Sequence, residues 1–188
     1  MGWFNSGPGL EPTGLTLVET PDSLARQSLA IARRHGSVRF IVQDRPETIA
    51  DGIKRLRSES KDQITFTEHD FFEAQPIVVD VYLFRWILHD WSDTYAIKIL
   101  RALIPVLKKN AKVILNEFVL PPPGVASAFT NKILRTMDLS MLELHNGKER
   151  EVDDWTKLLE FCDARFQFDG VIRLPESRLG IVHTTWTA

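Results

Sequence analysis

Short apolar runs alternate with amphipathic runs along the chain, and this alternation predicts strands separated by helices. The apolar runs predict strands over residues 15–19, 39–43, 64–68, 78–84, 113–119, 166–174 and 178–185. Apolar residues at helical spacing predict helices over residues 23–34, 46–56, 93–109, 127–143 and 152–161. This order of elements is typical of an α/β protein with a doubly wound, mostly parallel sheet.

A single domain is predicted to hold all of these elements. Residues 1–14 are rich in glycine and proline and are predicted to form a loose arm, so the domain spans residues 15–188. The clearest amphipathic helix is the one predicted over residues 93–109, whose apolar stripe is expected to face the sheet. That stripe consists of Ile97, Leu100, Leu103, Ile104 and Leu107.

Composition and charge argue against several classes of function. A chain of 188 residues with a formal net charge of −2 is long enough for a substantial core and has no basic footprint for nucleic acid. Cys162 is the single cysteine, so no disulfide can form within the chain. No apolar run is long enough for a signal peptide or a membrane span, and the default expectation is a cytoplasmic protein. No cluster of His and Cys has a metal-ligand spacing, so no metal site is predicted.

The segment from Trp86 to Asp93 carries the most chemical information. It places His89 between two indoles and directly after the predicted strand 78–84. Ligands of open α/β sheets bind at the carboxyl ends of the strands, which is where His89 is expected. An imidazole titrates near neutrality and can accept a proton from a hydroxyl group. Glu117 and Glu149 are the two later acids that could orient it, as a carboxylate does when it accepts a hydrogen bond from one ring nitrogen.

Four sequence blocks occur in an order that resembles a known family. They are residues 40–47, residues 69–72, residues 84–93 and residues 137–150. Together they resemble the catalytic domain of the cation-independent, S-adenosylmethionine-dependent O-methyltransferases that act on small molecules in plants and in fungal secondary metabolism. The similarity runs from about Leu15 to the C-terminus, and the strand with the sequence RFIVQD is particularly similar to the fungal members.

The resemblance implies a Rossmann-like, mostly parallel sheet that ends in an antiparallel hairpin. It also implies that His89 is the general base that deprotonates a hydroxyl group, commonly a phenol, and that Glu117 and Glu149 are its flanking carboxylates. Without the resemblance, His89 could equally be a histidine satisfied within an aromatic wall. The two glutamates could then be solvated surface acids.

The resemblance further implies four contacts to S-adenosylmethionine. Asp44 matches the acid that binds the ribose, Asp70 and Phe71 match positions beside the adenine, and Arg85 stands where plant members usually have a lysine facing the cofactor. Two of these residues also have an ordinary structural explanation. Asp44 could be a turn residue before Pro46, and Phe71 could belong to the core.

The substrate pocket is expected next to the base. Trp86, Met137 and Met141 could form walls for a flat aromatic substrate, and Asp138 could line the same pocket. Core packing is the alternative for at least one of these side chains, and a structural role is the alternative for Asp138. Asp90 is expected to cap the helix that follows it.

The chain departs from the family at the turn after the first strand. Family members have a glycine-rich turn there, whereas residues 19–25 read ETPDSLA and contain no glycine. Asp22 or Ser23 could simply cap the following helix. This departure keeps two other interpretations open: a methyltransferase-derived catalyst of a cofactor-free isomerisation, dehydration or cyclisation, and a non-catalytic partner protein.

The resemblance also implies an upstream helical domain that dimerises and closes the substrate pocket. Only the short arm of residues 1–14 precedes the catalytic core in this sequence, so the dimerisation domain is expected to be absent and the pocket open. The apolar surface that such a domain would cover favours self-association or a partner chain.

Overall fold

The computed structural model describes residues 15–19, 26–55, 62–175 and 177–188. Within these residues the strands are β1 (Leu15–Glu19), β2 (Phe40–Asp44), β3 (Ile64–Glu68), β4 (Val81–Arg85), β5 (Lys112–Leu120), β6 (Arg150–Glu151), β7 (Phe166–Arg173) and β8 (Leu179–Trp186). The helices are α1 (Arg26–Ala32), α2 (Pro46–Arg55), α3 (Asp93–Leu103), α4 (Ala128–His145) and α5 (Val152–Cys162). Two short 3-10 turns lie at Leu88–Asp90 and Ile104–Val106.

The strands form one sheet in the order β3-β2-β1-β4-β5-β8-β7, with β6 paired to the end of β5. Strands β1 to β5 are parallel, whereas β8 is antiparallel to both β5 and β7. Three successive residues of β4, Tyr82, Leu83 and Phe84, are buried, as expected for a parallel strand covered on both faces. The predicted doubly wound α/β fold with a closing antiparallel hairpin is therefore confirmed.

The strand order reverses between β1 and β4. Going along the sheet, β1 leads to β2 and β3 on one side, while β4 leads to β5 on the other, and Glu19 pairs with Arg85 at the carboxyl ends of the two strands. Such a reversal opens a crevice at these ends, and open α/β sheets bind ligands there. The glycine-free turn of the sequence analysis falls on residues 20–25, which lie outside the described residues.

The core lies on both faces of the sheet. The larger cluster packs α3 and α5 against the sheet and includes the buried residues Leu100, Leu103, Trp155 and Leu159. A smaller cluster, which includes Phe40, Val42 and Ile64, lies around β2 and β3. Leu100 and Leu103 of the predicted stripe are thus core residues. Among the described helices, none combines the length and the apolar character that a membrane crossing needs.

Two predicted elements end or begin elsewhere in the structure. The helix predicted over residues 93–109 ends at Leu103, because Pro105 lacks the N–H group that a continuing helix would need, and residues 104–106 form a 3-10 turn. The strand predicted from residue 78 begins at Val81. Before it, the hydroxyl group of Tyr82 donates to the carbonyl of Ile77 and accepts from the N–H of Val79, which holds this segment outside the ladder.

Candidate active site

A tight turn follows β4 and places His89 just past the carboxyl end of this strand. Trp86 has a positive φ of 56°, which turns the chain away from the strand, and its N–H donates to the carbonyl of Asn116 on β5. The 3-10 turn Leu88–Asp90 then places His89, which is only 4% exposed, just past the carboxyl end of β4. This is the position that the sequence predicted for it.

Glu149 orients the ring of His89. It lies in the loop between α4 and β6, is buried, and its Oε1 is 3.0 Å from Nδ1 of His89. A carboxylate at Nδ1 makes this nitrogen the donor and leaves Nε2 as the acceptor of the neutral ring. Nε2 lies 3.4 Å from Oδ1 of Asp90. The predicted pairing of His89 with an acid is therefore present, and it leaves a basic nitrogen on the other side of the ring.

Opposing effects set the pKa of His89. Burial lowers it, whereas the hydrogen bond to Glu149 and the negative charges of Glu117, Glu149 and Asp90 raise it. The acidic groups prevail, and the pKa lies above its ordinary value of 6.5. His89 is consequently a stronger base than a free imidazole, and its charged form is stabilised in place.

Glu117 supports the backbone of the turn. It is fully buried on β5, and its Oε1 accepts hydrogen bonds from the N–H groups of Ile87 and Leu88 at 3.0 and 2.9 Å. Its Oε2 is buried and has no hydrogen-bond partner within the described chain. Burial raises the pKa of Glu117 to about 7, against the lowering effects of His89 and of the two N–H groups. The second predicted carboxylate thus acts on His89 through charge and through the turn that carries it.

Asp138 holds the loop of Glu149. Its Oδ1 accepts a hydrogen bond from the N–H of Glu149 at 2.9 Å. Met141, on the same helix, is buried, whereas Met137 is half-buried. The ring of Trp86 makes edge contacts with His89 at 5.0 Å and with Phe118 at 5.1 Å between centroids. The structure therefore gives Asp138 a defined supporting contact, and the pocket-wall roles of the other residues stay predictions.

Gly147, which no sequence motif singled out, packs against the turn that carries His89. A Cβ atom at Gly147 would lie 2.1 Å from the carbonyl oxygen of His89, and the N–H of the next residue, Lys148, donates to that same oxygen. Asn146 caps α4 in the left-handed conformation with a φ of 55°. An Asn-Gly pair after a predicted helix was the signal that could have found this close approach.

Arg150 was also missed. It directly follows Glu149, and its side chain is completely buried. Its guanidinium group donates to the carbonyl of Leu88 and to the carboxylate of Asp93. A charged residue adjacent to a candidate orienting acid was the available sequence signal. Asp90 does not cap α3, because the N-cap is Ser92 and Asp90 belongs to the preceding 3-10 turn.

Asp44 lies at the carboxyl end of β2, on the same edge of the sheet. Its Oδ1 accepts from the N–H of Arg45 at 2.7 Å, while its Oδ2 is buried and has no hydrogen-bond partner in the described part of the chain. Burial raises the pKa of Asp44, against the lowering effects of Arg45 and Thr48. The enclosed, unsatisfied oxygen is an acceptor available to a ligand with hydroxyl groups.

The other predicted cofactor residues lie at the ends of the neighbouring strands. Asp70 and Phe71 follow β3, and the N–H of His69 donates to the carbonyl of Asp44, which joins this segment to the end of β2. Asp70 accepts a hydrogen bond from the N–H of Phe72, and Phe71 makes an edge contact with Trp91. These residues therefore share one edge of the sheet with Asp44.

Arg85 ends β4 at the strand reversal. Its Nε donates to the side-chain oxygen of Asn116 on β5 at 3.2 Å. The amide group of Asn116 donates in turn to the carbonyl of Gly180 on β8. The guanidinium of Arg85 is thereby tied to the neighbouring strands beside the crevice.

Comparison with known proteins identifies the family. The model of the O-methyltransferase domain matches residues 26–166. The chain is 39% identical over 173 residues to a grayanic acid biosynthesis cluster O-methyltransferase of Cladonia grayi, covering 91% of this chain and 38% of that protein. It is 37% identical over 180 residues to a chlorophenol O-methyltransferase of Trichoderma longibrachiatum, covering 94% of this chain and 38% of that protein.

A solved structure of similar fold is that of OxaC in complex with SAH and oxaline. Its TM-score is 0.76 at 27% identity, over 92% of this chain and 42% of that one. The chain spans about two fifths of the length of the two curated relatives named above. The matched family model covers most of the described site, including His89 and Glu149. The chain belongs to the O-methyltransferase domain family.

Proposed function

We propose that this protein transfers a methyl group from S-adenosylmethionine to a hydroxyl group of a small aromatic secondary metabolite, with His89 as the general base. The observation that carries the proposal is the buried pair of His89 and Glu149 at the carboxyl end of β4. Membership in the O-methyltransferase domain family supports the same reaction.

In this mechanism the residues of the site remove one proton from the substrate hydroxyl group and later release it. Glu149 accepts the hydrogen bond from Nδ1 of His89, so Nε2 is the ring nitrogen that can take the proton of the substrate hydroxyl group. The resulting imidazolium is stabilised by Glu149, Glu117 and Asp90. S-adenosylmethionine supplies a methyl group already activated by its sulfonium. The substrate oxygen would take this methyl group from the bound cofactor, leaving S-adenosylhomocysteine, and His89 then releases its proton to water.

The residues present fit the cofactor. The unsatisfied Oδ2 of Asp44 can accept hydrogen bonds from ribose hydroxyl groups. Asp70 can accept from the exocyclic amine of adenine, Phe71 can cover a face of the base, and Arg85 lies at the crevice between β1 and β4. The similar structure of OxaC was solved with SAH, the product that S-adenosylmethionine becomes after methyl transfer.

The proposed substrate class rests on the predicted pocket walls, of which Trp86 contacts the ring of His89. Trp86, Met137 and Met141 offer apolar, polarisable surfaces to a flat ring. A relative from Trichoderma longibrachiatum is a chlorophenol O-methyltransferase, which supports a phenolic acceptor. We therefore assign the acceptor to phenols or related hydroxylated aromatic compounds.

The domain arrangement is part of the proposal. In this proposal residues 15–188 form the catalytic domain, and a second copy or a partner chain covers the pocket. The support is an apolar face of α4, where Phe129, Ile133 and Leu144 share one side of the helix and are 75%, 41% and 70% exposed. A cytoplasmic location is also part of the proposal.

We keep a second candidate function because residues 19–25 contain no glycine. A glycine-rich turn lets backbone amides approach a cofactor closely, and Pro21 removes one such amide. A site with His89 and a pocket but no cofactor affinity would serve a cofactor-free isomerisation, dehydration or cyclisation. A protein that has lost both functions would act only as a partner.

Calorimetric titration with S-adenosylmethionine and with S-adenosylhomocysteine separates these functions. We expect micromolar binding, about −8 kcal/mol, for the unmodified chain. Asp44→Asn should bind about 10- to 100-fold more weakly, since a hydrogen bond to a charged acceptor contributes about 1.5 to 3 kcal/mol. Asp51→Asn, at an exposed acid of α2, is the control and should bind as the unmodified chain does.

The same preparation is then incubated with methyl-labelled S-adenosylmethionine and a panel of phenols. Label on a phenolic oxygen supports the proposal. Absence of binding at millimolar cofactor would overturn it and would favour the cofactor-free catalyst or the partner protein. Binding without transfer to any phenol of the panel would overturn the assigned acceptor class.

A further inference from the structure

The guanidinium group of Arg150 is completely buried beside the turn that carries His89. It makes hydrogen bonds to four groups: Nη1 to the carbonyls of Leu88 and Lys148 at 2.8 and 3.5 Å, Nη2 to the carbonyl of Trp91 at 2.8 Å, and Nε and Nη2 to Oδ1 of Asp93 at 3.0 and 2.9 Å. Its carbon Cζ lies 5.0 Å from the ring centroid of Trp155. A buried charge with this many partners is fixed in one geometry.

The acceptors of Arg150 lie on both sides of the candidate base. Leu88 immediately precedes His89, and Trp91 follows it by two residues, so the guanidinium spans the backbone of the turn. The neighbouring residues act on His89 itself. The N–H of Lys148 donates to its carbonyl oxygen, and Glu149 accepts from its ring. One short segment, residues 148–150, thus holds both the backbone and the ring of His89.

We propose that Arg150 is a positioning residue for the general base, which keeps the Leu88–Trp91 turn in the one conformation where Glu149 reaches the ring of His89. This inference rests on the proposed function for its catalytic meaning, but the geometric claim concerns His89 in the free protein. Arg150 touches neither substrate nor cofactor in this account. Its effect on catalysis passes through the orientation of His89.

Only an arginine suits this place. Its planar guanidinium carries five N–H donors in a fixed fork, and here these donors reach three carbonyl groups and a carboxylate at once. A lysine at the same position keeps the positive charge but presents it as a point with no fork. Arg150→Lys therefore removes the hydrogen bonds that position the turn but keeps the positive charge. The acidic groups that face His89, namely Glu117, Glu149 and Asp90, are also unchanged.

The experiment is an NMR titration of His89 in the unliganded protein, with its signals assigned by loss in His89→Gln. In Arg150→Lys we expect the pKa of His89 to fall toward its ordinary 6.5 and the exchange-protected Nδ1–H signal to disappear. Arg101→Lys is the matched control. Arg101 also donates to two backbone carbonyls, those of Phe161 and Cys162, but it joins α3 to the end of α5. Arg101→Lys should lower the stability of the protein without changing the pKa of His89 or its Nδ1–H signal.

Asp93→Asn keeps the measurement decisive if Arg150→Lys does not fold. Asp93 is half-exposed, and the variant removes the charge that anchors the guanidinium while leaving the carbonyl acceptors in place. We expect the same direction of change in the Nδ1–H signal. An unchanged His89 titration and an unchanged Nδ1–H signal in the folded variants would overturn the inference.

Kinetics then tests the catalytic part. Where methyl transfer is measurable, Arg150→Lys should lower kcat about 10²-fold with little change in KM for S-adenosylmethionine, as expected from a misplaced catalytic group. A loss confined to KM would overturn the positioning role. If the unmodified protein transfers no methyl group while the His89 signals still respond to Arg150→Lys, the proposed function fails and the positioning of His89 stands.

Discussion

Oε1 of Glu149 lies 3.0 Å from Nδ1 of His89, and both side chains are buried. The contact joins residues that are sixty positions apart in the chain, one after β4 and the other after α4. It fixes which ring nitrogen carries the proton and helps to raise the pKa of His89. The basic character of the site therefore depends on this pair more than on either residue alone.

The first prediction concerns Glu149→Gln. The amide oxygen can still accept from Nδ1, but the negative charge is lost, so the pKa of His89 should fall. Methyl transfer requires neutral His89, and the acid limb of the pH profile of kcat should therefore move to lower pH, with the plateau about tenfold lower. Glu143→Gln, at an exposed position of α4, should leave the profile unchanged. An unmoved acid limb in Glu149→Gln would show that this carboxylate does not tune the base.

The second prediction concerns the pH dependence of stability at Glu117. Its pKa is raised from 4.5 to about 7 in the folded state, so between these values the folded protein holds a proton that the unfolded chain releases. Stability must then decrease as the pH rises through this window. Glu117→Gln keeps an oxygen for the N–H groups of Ile87 and Leu88 and removes the titration.

The unmodified protein should lose stability as the pH rises from 4.5 to 7, and Glu117→Gln should not. We therefore expect the free energy of unfolding of Glu117→Gln, relative to that of the unmodified protein, to increase over this pH range. Urea denaturation at several pH values measures this difference, with Glu143→Gln as the exposed control. A difference that stays constant across the window would mean that Glu117 does not titrate there.

The third prediction concerns the close approach at Gly147. A methyl group there would meet the carbonyl oxygen of His89 at 2.1 Å and the backbone of Asp90 at 2.7 Å, and neither can move without shifting the turn. Gly147→Ala should therefore destabilise the fold by about 1–3 kcal/mol and lower kcat as His89 is displaced. Gly36→Ala is the control, since a Cβ there would meet nothing within 4 Å. Equal stability of the two variants in thermal unfolding would contradict the packing described.

Much of the fold could be predicted from periodicity. The strand over residues 64–68 has the predicted bounds, and the buried Leu100 and Leu103 confirm the stripe of α3. The helix prediction ran past Leu103 because the apolar spacing continues to Leu107. The missing N–H of Pro105 ends the helix despite that pattern.

The candidate site was only partly accessible from the sequence. His89 and Glu149 could be paired because their motifs occur in family order, and the structure brings them together. The contact of Glu117 with the backbone of Leu88 could not be predicted, since it depends on how the turn after β4 folds. Arg150 and Gly147 act through backbone groups of that same turn, and sequence patterns carry little information about such contacts.

The most direct test of the central claim compares single-turnover methyl transfer by the unmodified protein and by His89→Gln, using a phenol that the unmodified protein methylates. His35→Gln is the matched control, because His35 lies in the turn between α1 and β2, before the amino end of β2. We predict that His89→Gln binds S-adenosylmethionine normally and transfers methyl groups about 10²- to 10⁴-fold more slowly, whereas His35→Gln is unaffected. An undiminished rate in His89→Gln would contradict the account.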